Sequence, residues 1–215
     1  MSPPEMRVVE DIPEAAEQLF LEASPRTIAL SGGTTPRAVY ERLAGVVYPW
    51  DEVHVFFGDE RCVPPDHPDS NYLMAREALL AHVPAQVHPM NDCDADAYER
   101  ELRAVFGEGV PAFDLIFMGL GPDGHTASLF PGKPALEVQD RLAVYVPEPG
   151  MAPQHPRLTL TLPLFQNAKL MVFLVAGEDK RERVRQLLEG DDIPAARTVA
   201  PNTIVLVDPP AAPGV

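Results

Sequence analysis

Short apolar runs alternate with amphipathic segments along most of the chain. Residues 13–23 (PEAAEQLFLEA) carry apolar positions at helical spacing behind a proline that a first helical turn tolerates, and 26–31 (RTIALS) follow as a short buried strand. The same beat predicts a helix over 36–45, starting on Pro36 and closing on Gly45, a strand over 52–57, and helices over 69–82 and 94–106. Next comes the apolar run Phe113–Met118; further strands are predicted over 141–146, 157–162, 169–175 and 203–207, with a helix over 178–189. Buried strands separated by helices predict an α/β fold, a mainly parallel sheet with helices on both faces. No repeat, linker or charge block divides the pattern, so residues 1–215 are expected to form a single domain, with 209–215 as a frayed tail.

Charge narrows the function. The 215 residues include 17 Lys+Arg against 32 Asp+Glu, a formal charge of −15. Such a chain is repelled by phosphodiester backbones and anionic membranes, so neither nucleic acid nor membrane is expected as a partner. A hydrophobic content of 46% with 23% charged residues excludes global disorder. No stretch approaches the ~20 apolar residues that span a bilayer, and the N-terminus lacks the basic region and apolar core of a signal peptide. Cys62 and Cys93 do not form a CxxC pair, and the Cys/His spacings match no usual zinc pattern. A reduced, cytoplasmic setting is therefore expected, with no metal and no cofactor.

In open parallel sheets ligands bind beyond the carboxyl ends of the strands, and four such junctions here carry chemistry. After 26–31 comes Ser31-Gly32-Gly33-Thr34-Thr35-Pro36, leading straight into a helix. Two glycines permit close backbone approach, two hydroxyls add donors, and the helix start offers free amides at the positive end of its dipole; this suits a terminal phosphate. The alternative is a glycine turn with a threonine N-cap. Without a following Gly-Lys-Ser/Thr it is no nucleotide P-loop.

After 52–57 comes Gly58-Asp59-Glu60-Arg61, whose paired carboxylates and guanidinium could orient water, hold sugar hydroxyls or stabilise an oxyanion, or else form a surface ion-pair turn. After Met118, GLGPDGHTASLF formally contains GxGxxG, but the segment before Pro131 is too short for the helix of a dinucleotide unit. What remains is a glycine-framed loop with Asp123 two residues before His125, a carboxylate placed to orient an imidazole for acid/base work. After 169–175, Lys180 stands near a helix N-terminus, where the macrodipole disfavours a cation and a bound anion would relieve the misfit; the alternative is a solvated lysine offset by Glu178 and Asp179. Arg157, opening RLTLTL, is a further candidate for the same anion. No GxSxG elbow surrounds Ser31 or Ser128, which argues against a serine hydrolase. Metal-free acid/base chemistry on a small phosphorylated metabolite is the reading these junctions support.

The segments SGGTTPRAVYERL, FFGDERCVPPDHPDSNYLMAREALL, FDLIFMGLGPDGHTASLFPG and RLTLTLPLFQNAK, covering most of residues 26–180, resemble the 6-phosphogluconolactonases of the pentose phosphate pathway. The resemblance implies a modified Rossmann-like fold shared with glucosamine-6-phosphate deaminases, metal-independent hydrolysis of 6-phospho-D-glucono-1,5-lactone, and phosphate held at SGGTTP. Taken with the junctions above, catalytic roles are expected for His125, Asp123, Arg61 and Asp59, and substrate contacts for Ser31, Gly32, Gly33, Thr34, Thr35, Arg157 and Lys180. Arg61 and Arg157 stay open between the phosphate and the lactone carbonyl. The expected partner is a phosphorylated sugar lactone, acted on by a monomer. Two alternatives compete. A deaminase typically carries Asp-Glu-Tyr where this chain has Asp59-Glu60-Arg61, and a glutamate where it has Phe130; a non-catalytic sugar-phosphate sensor would make His125 dispensable.

Overall fold

The computed structural model describes residues 3–90 and 92–214. Among these, ten strands appear: β1 (Glu5–Val8), β2 (Thr27–Leu30), β3 (His54–Phe57), β4 (Asp59–Arg61), β5 (Gln86–Val87), β6 (Leu115–Met118), β7 (Ala143–Val146), β8 (Arg157–Leu160), β9 (Met171–Val175) and β10 (Thr203–Val207). Seven of them form one sheet in the order β1-β10-β9-β6-β2-β3-β5, each pair parallel. Successive residues of a strand face opposite sides of a sheet, yet Leu115, Ile116, Phe117 and Met118 of β6 are all buried. Both faces are therefore covered, as the continuous apolar runs predict.

The flanking helices are α1 (Ile12–Ala23), α2 (Thr34–Leu43), α3 (Asn71–Ala75), α4 (Ala95–Phe106), α5 (Leu162–Gln166), α6 (Arg181–Glu189) and α7 (Pro194–Arg197). Local chemistry sets their ends. The Asp11 carboxylate accepts the Glu14 amide at the start of α1, Asp94 accepts the Ala97 amide before α4, and Ser70 accepts the Leu73 amide before α3. Ile12, Ala16, Leu19 and Phe20 recur at helical spacing and bury one face of α1. The predicted helix over 69–82 is α3 continued by a single π-helical turn, Arg76–Leu80.

The remaining three strands depart from expectation. β4, β8 and β7 form a separate antiparallel sheet, so residues 141–146 and 157–162 do not join the main one. Their apolar runs read alike in either sheet because β8 is buried throughout. Gly58 joins the two sheets: its N–H donates to Leu30 O at the end of β2, and its carbonyl accepts Leu160 N of β8. Two further expectations are corrected. Cys62 and Cys93 are bonded to each other across 31 residues, with their Cα atoms 5.4 Å apart, so cysteine usage no longer argues for a reducing compartment. Residues 209–212, read as part of a frayed tail, pack instead: Asp208 caps the turn Pro209–Ala211, and Ala211 and Ala212 are buried. No helix of the described residues is long and apolar enough to cross a membrane.

Candidate active site

β2 and β6 are neighbours, but the chain leaves β2 for β3 on one side, while β6 pairs on its other side with β9. This is a switch point, where the loops beyond the strand ends diverge and leave a crevice. A cavity of about 290 Å³ opens there. The residues singled out at the four junctions line it except Glu60 and Asp123, the latter standing behind His125.

Ser31 to Gly33 form its floor. The Tyr40 hydroxyl, buried on α2, accepts the Ser31 N–H at 2.8 Å and donates to the Ser31 carbonyl at 2.9 Å, clasping the loop to its own helix. Gly33 occupies the N-cap at φ 114°, a conformation that favours glycine, and no side chain caps the helix. Thr34 and Thr35 therefore belong to the first helical turn, whose amides have no intrahelical partner. Gly32 has its own constraint: a Cβ there would lie 2.1 Å from Asn71 Oδ1. The Ser31 hydroxyl is buried with no hydrogen-bond partner, an arrangement that costs free energy unless a ligand completes it.

Asp59, Glu60 and Arg61 are a strand and not a surface turn. Asp59 and Glu60 are only 5% and 3% exposed. Glu60 points away from the cavity and accepts the amides of Arg61, Asn71 and Tyr72 and the hydroxyl of Ser70, fastening β4 to the start of α3. Burial pushes its carboxyl above the usual range against those bonds. Asp59 accepts from Ser128 Oγ at 2.5 Å and lies 4.0 Å from Arg157 Nη1.

The antiparallel register of β4 and β8 sets Arg61 directly opposite Arg157. Like charges in such positions repel. Main-chain carbonyls hold both: Asp69 O accepts Arg61 Nη1 at 2.5 Å, while His155 O and Pro153 O accept from Arg157 at 3.1 and 2.9 Å. Burial lowers the pKa of Arg157, with Arg61 adding to the effect and Asp59 opposing it. Arg61 Nε is buried without a partner. Two cations held together with an orphaned donor make a site that favours an anion.

His125 hangs in a tight loop closed by bonds from Gly121 N to His125 O and from Gly124 N to Gly121 O. Its Nδ1 contacts Asp123 Oδ1, which also accepts the His125 amide at 3.1 Å. Burial raises the Asp123 carboxyl, but the bonds from the amide and ring of His125 outweigh it and leave the group below its usual range. An ionised carboxylate only accepts, so Nδ1 is the donor in this pair, and in the neutral ring the lone pair then falls on Nε2. Phe130 packs its ring 4.6 Å from the imidazole. Lys180 reaches the opposite wall from the turn after β9, 3.9 Å from Asp179.

Sequence reasoning did not single out Asn71, which lines the cavity and donates to Asp59 O at 3.0 Å, or Ser128, which holds Asp59. Their only signal was the Asp-Ser-Asn entry to a helix and a serine three residues beyond His125.

The family model described as glucosamine-6-phosphate isomerases/6-phosphogluconolactonase matches residues 5–207. A 6-phosphogluconolactonase of Synechocystis is 47% identical over 196 residues, 84% of this chain and 80% of the relative. The structure of 6-phosphogluconolactonase from Trypanosoma cruzi superposes with a TM-score of 0.88 at 30% identity, covering 98% of this chain and 97% of that one. A monomeric glucosamine-6-phosphate deaminase shares the fold at 19% identity, with a TM-score of 0.79 over 98% of both chains. With a modified Rossmann-like sheet and these relatives, the chain belongs to the glucosamine-6-phosphate isomerase/6-phosphogluconolactonase family.

Proposed function

We propose that the chain hydrolyses 6-phospho-D-glucono-1,5-lactone to 6-phospho-D-gluconate in the oxidative pentose phosphate pathway, by general acid/base catalysis. The observation that carries this reading is an imidazole with Nε2 free and Nδ1 held by a carboxylate, on the same cavity as two facing arginines. His125 Nε2 takes a proton from water as the water oxygen bonds to the lactone C1. The C1–ring-oxygen bond then breaks, and the proton passes from His125 to the departing oxygen. Asp123 orients the ring and stabilises its charged form. Arg61 balances charge on the former carbonyl oxygen, Arg157 neutralises the anionic substrate beside it, and Asp59 positions Arg157. Ser31, Gly32, Gly33, Thr34 and Thr35, with Lys180, hold the 6-phosphate and fix C1 beside His125, so remote binding orients the reacting carbon.

Two residues favour this reaction over deamination. Phe130, fully buried against His125, fills the place where deaminases carry a glutamate for ring opening, and Arg61 replaces their tyrosine. A phosphorylated sugar is too charged to cross a bilayer unaided, which supports a cytoplasmic location.

The test follows disappearance of freshly generated lactone, in buffer with a chelator, for wild type, His125→Ala, Lys180→Ala and no enzyme. His125→Ala is expected to lose about 10²–10⁴-fold in kcat, and Lys180→Ala to raise KM with little change in kcat. Wild type matching the spontaneous rate would overturn the assignment and make ammonia release from glucosamine 6-phosphate the next assay.

A further inference from the structure

His67, Asp69 and His155 stand together outside the cavity, on two loops: 62–70, between β4 and α3, and 147–156, between β7 and β8. His155 Nε2 lies 2.9 Å and His67 Nδ1 3.9 Å from Asp69 Oδ2. One ligand atom from each of the three falls within 4.8 Å of the others. The two imidazole rings meet edge to face, with centroids 5.3 Å apart. A tetrahedral cation with bonds of about 2.0–2.1 Å holds its ligands roughly 3.3 Å apart, so small side-chain adjustments close this triangle. Each of the three is about one-third exposed, leaving an entry path and room for water as a fourth ligand.

We propose that His67, Asp69 and His155 bind one divalent transition cation of the Zn²⁺ class, which clamps together the two loops that aim Arg61 and Arg157. Two imidazoles and a single carboxylate suit zinc and its neighbours and are a poor set for Mg²⁺ or Ca²⁺, which take oxygen ligands. The clamp follows from the backbone. Asp69 and His155, which supply ligands through their side chains, supply through their carbonyls the acceptors for Arg61 Nη1 and Arg157 Nε. Binding at these atoms takes the place of the contact between His155 Nε2 and Asp69 Oδ2 and of the 3.1 Å bond that His67 Nδ1 accepts from the Asp69 amide. The other imidazole group, His54, His88 and Glu101, runs in a line of pairwise contacts and does not converge.

The test is titration of the untagged full chain with ZnCl₂ by calorimetry, with the Cys62–Cys93 disulfide intact so that free thiolates do not compete, alongside thermal melts. Wild type is expected to take up one Zn²⁺ per chain. At a free concentration of about 100 times Kd, its melting temperature should rise by roughly 5–10 °C. His155→Ala and Asp69→Asn should each lose that uptake and the thermal shift, while His125→Ala keeps both. His67→Gln serves if either of the first two melts below the assay temperature. No uptake by wild type, or uptake unchanged in His155→Ala, would overturn the proposal. So would uptake lost only in His125→Ala, which would place the ion in the cavity. The readouts are metal uptake and melting, so the result stands apart from the hydrolysis assay.

Discussion

A methyl group at Gly121 tests whether catalysis depends on where the His125 ring sits. Gly121 lies outside the left-handed region, so alanine fits the backbone there. The added Cβ, however, would lie 2.1 Å from both Cε1 and Nδ1 of His125. To regain an ordinary contact the ring must retreat by about 1.3 Å. Phe130 stands 4.6 Å from the ring centre, and Asp123 holds Nδ1, so the retreat must break the pair with the carboxylate or tilt the imidazole away from the cavity. A displacement near 1 Å costs roughly 100-fold in rate, equivalent to about 2.7 kcal/mol of transition-state stabilisation. Gly121→Ala is therefore expected to lower kcat/KM for the lactone about 100-fold while moving the melting temperature by no more than a few degrees. The assay is lactone hydrolysis corrected for the spontaneous rate, with a melt to confirm folding. Activity within about threefold of wild type would refute the claim that His125 acts from the position described.

Two further substitutions probe the scaffold. Asp114 accepts the amides of Arg26 and Thr27, the Thr27 hydroxyl and Lys169 Nζ; burial raises its carboxyl, but these bonds outweigh it and hold the group below its usual value. A carboxyl lowered in the folded state stabilises fully above its unfolded pKa of about 3.9, and the contribution fades as pH falls through the folded value. Asp114→Asn should therefore cost roughly 1–3 kcal/mol at pH 7, a gap that narrows below about pH 4 in denaturant titrations; a gap constant down to pH 2 would count against this account. Ser128→Ala removes the buried donor to Asp59 and should cost roughly 1–3 kcal/mol in stability, and a variant as stable as wild type would show that another donor takes its place.

Much of the site was legible because its parts are local. The glycines and hydroxyls of Ser31–Thr35 and the aspartate two residues before His125 declare their chemistry within a few residues, and the apolar runs before them place both at strand ends. What escaped was non-local. Whether Asp59–Arg61 is a turn or a strand depends on pairing with residues almost a hundred positions later, so neither the second sheet nor the meeting of Arg61 with Arg157 could be read from either segment alone. The Cys62–Cys93 bond escaped for the same reason, since spacing does not determine connectivity. β1 and β5 are short edge strands with half-exposed residues and too little apolar periodicity to stand out. At the C-terminus, the proline-rich composition concealed an aspartate-capped turn.

The interleaved strand order also has a consequence for how the molecule acquires activity. The cavity draws residues from Ser31 to Lys180, delivered by strands β2, β6 and β9 of one sheet and β4 and β8 of another. Parallel pairings between distant segments form late, because loop closure must be met before the contacts reward it. No fragment or half-folded chain would hold an arginine pair, an oriented imidazole and the phosphate loop at once. During refolding, turnover should therefore lag behind the return of secondary structure and appear only with the last pairing. An activity trace is then a clock for completion of the sheet.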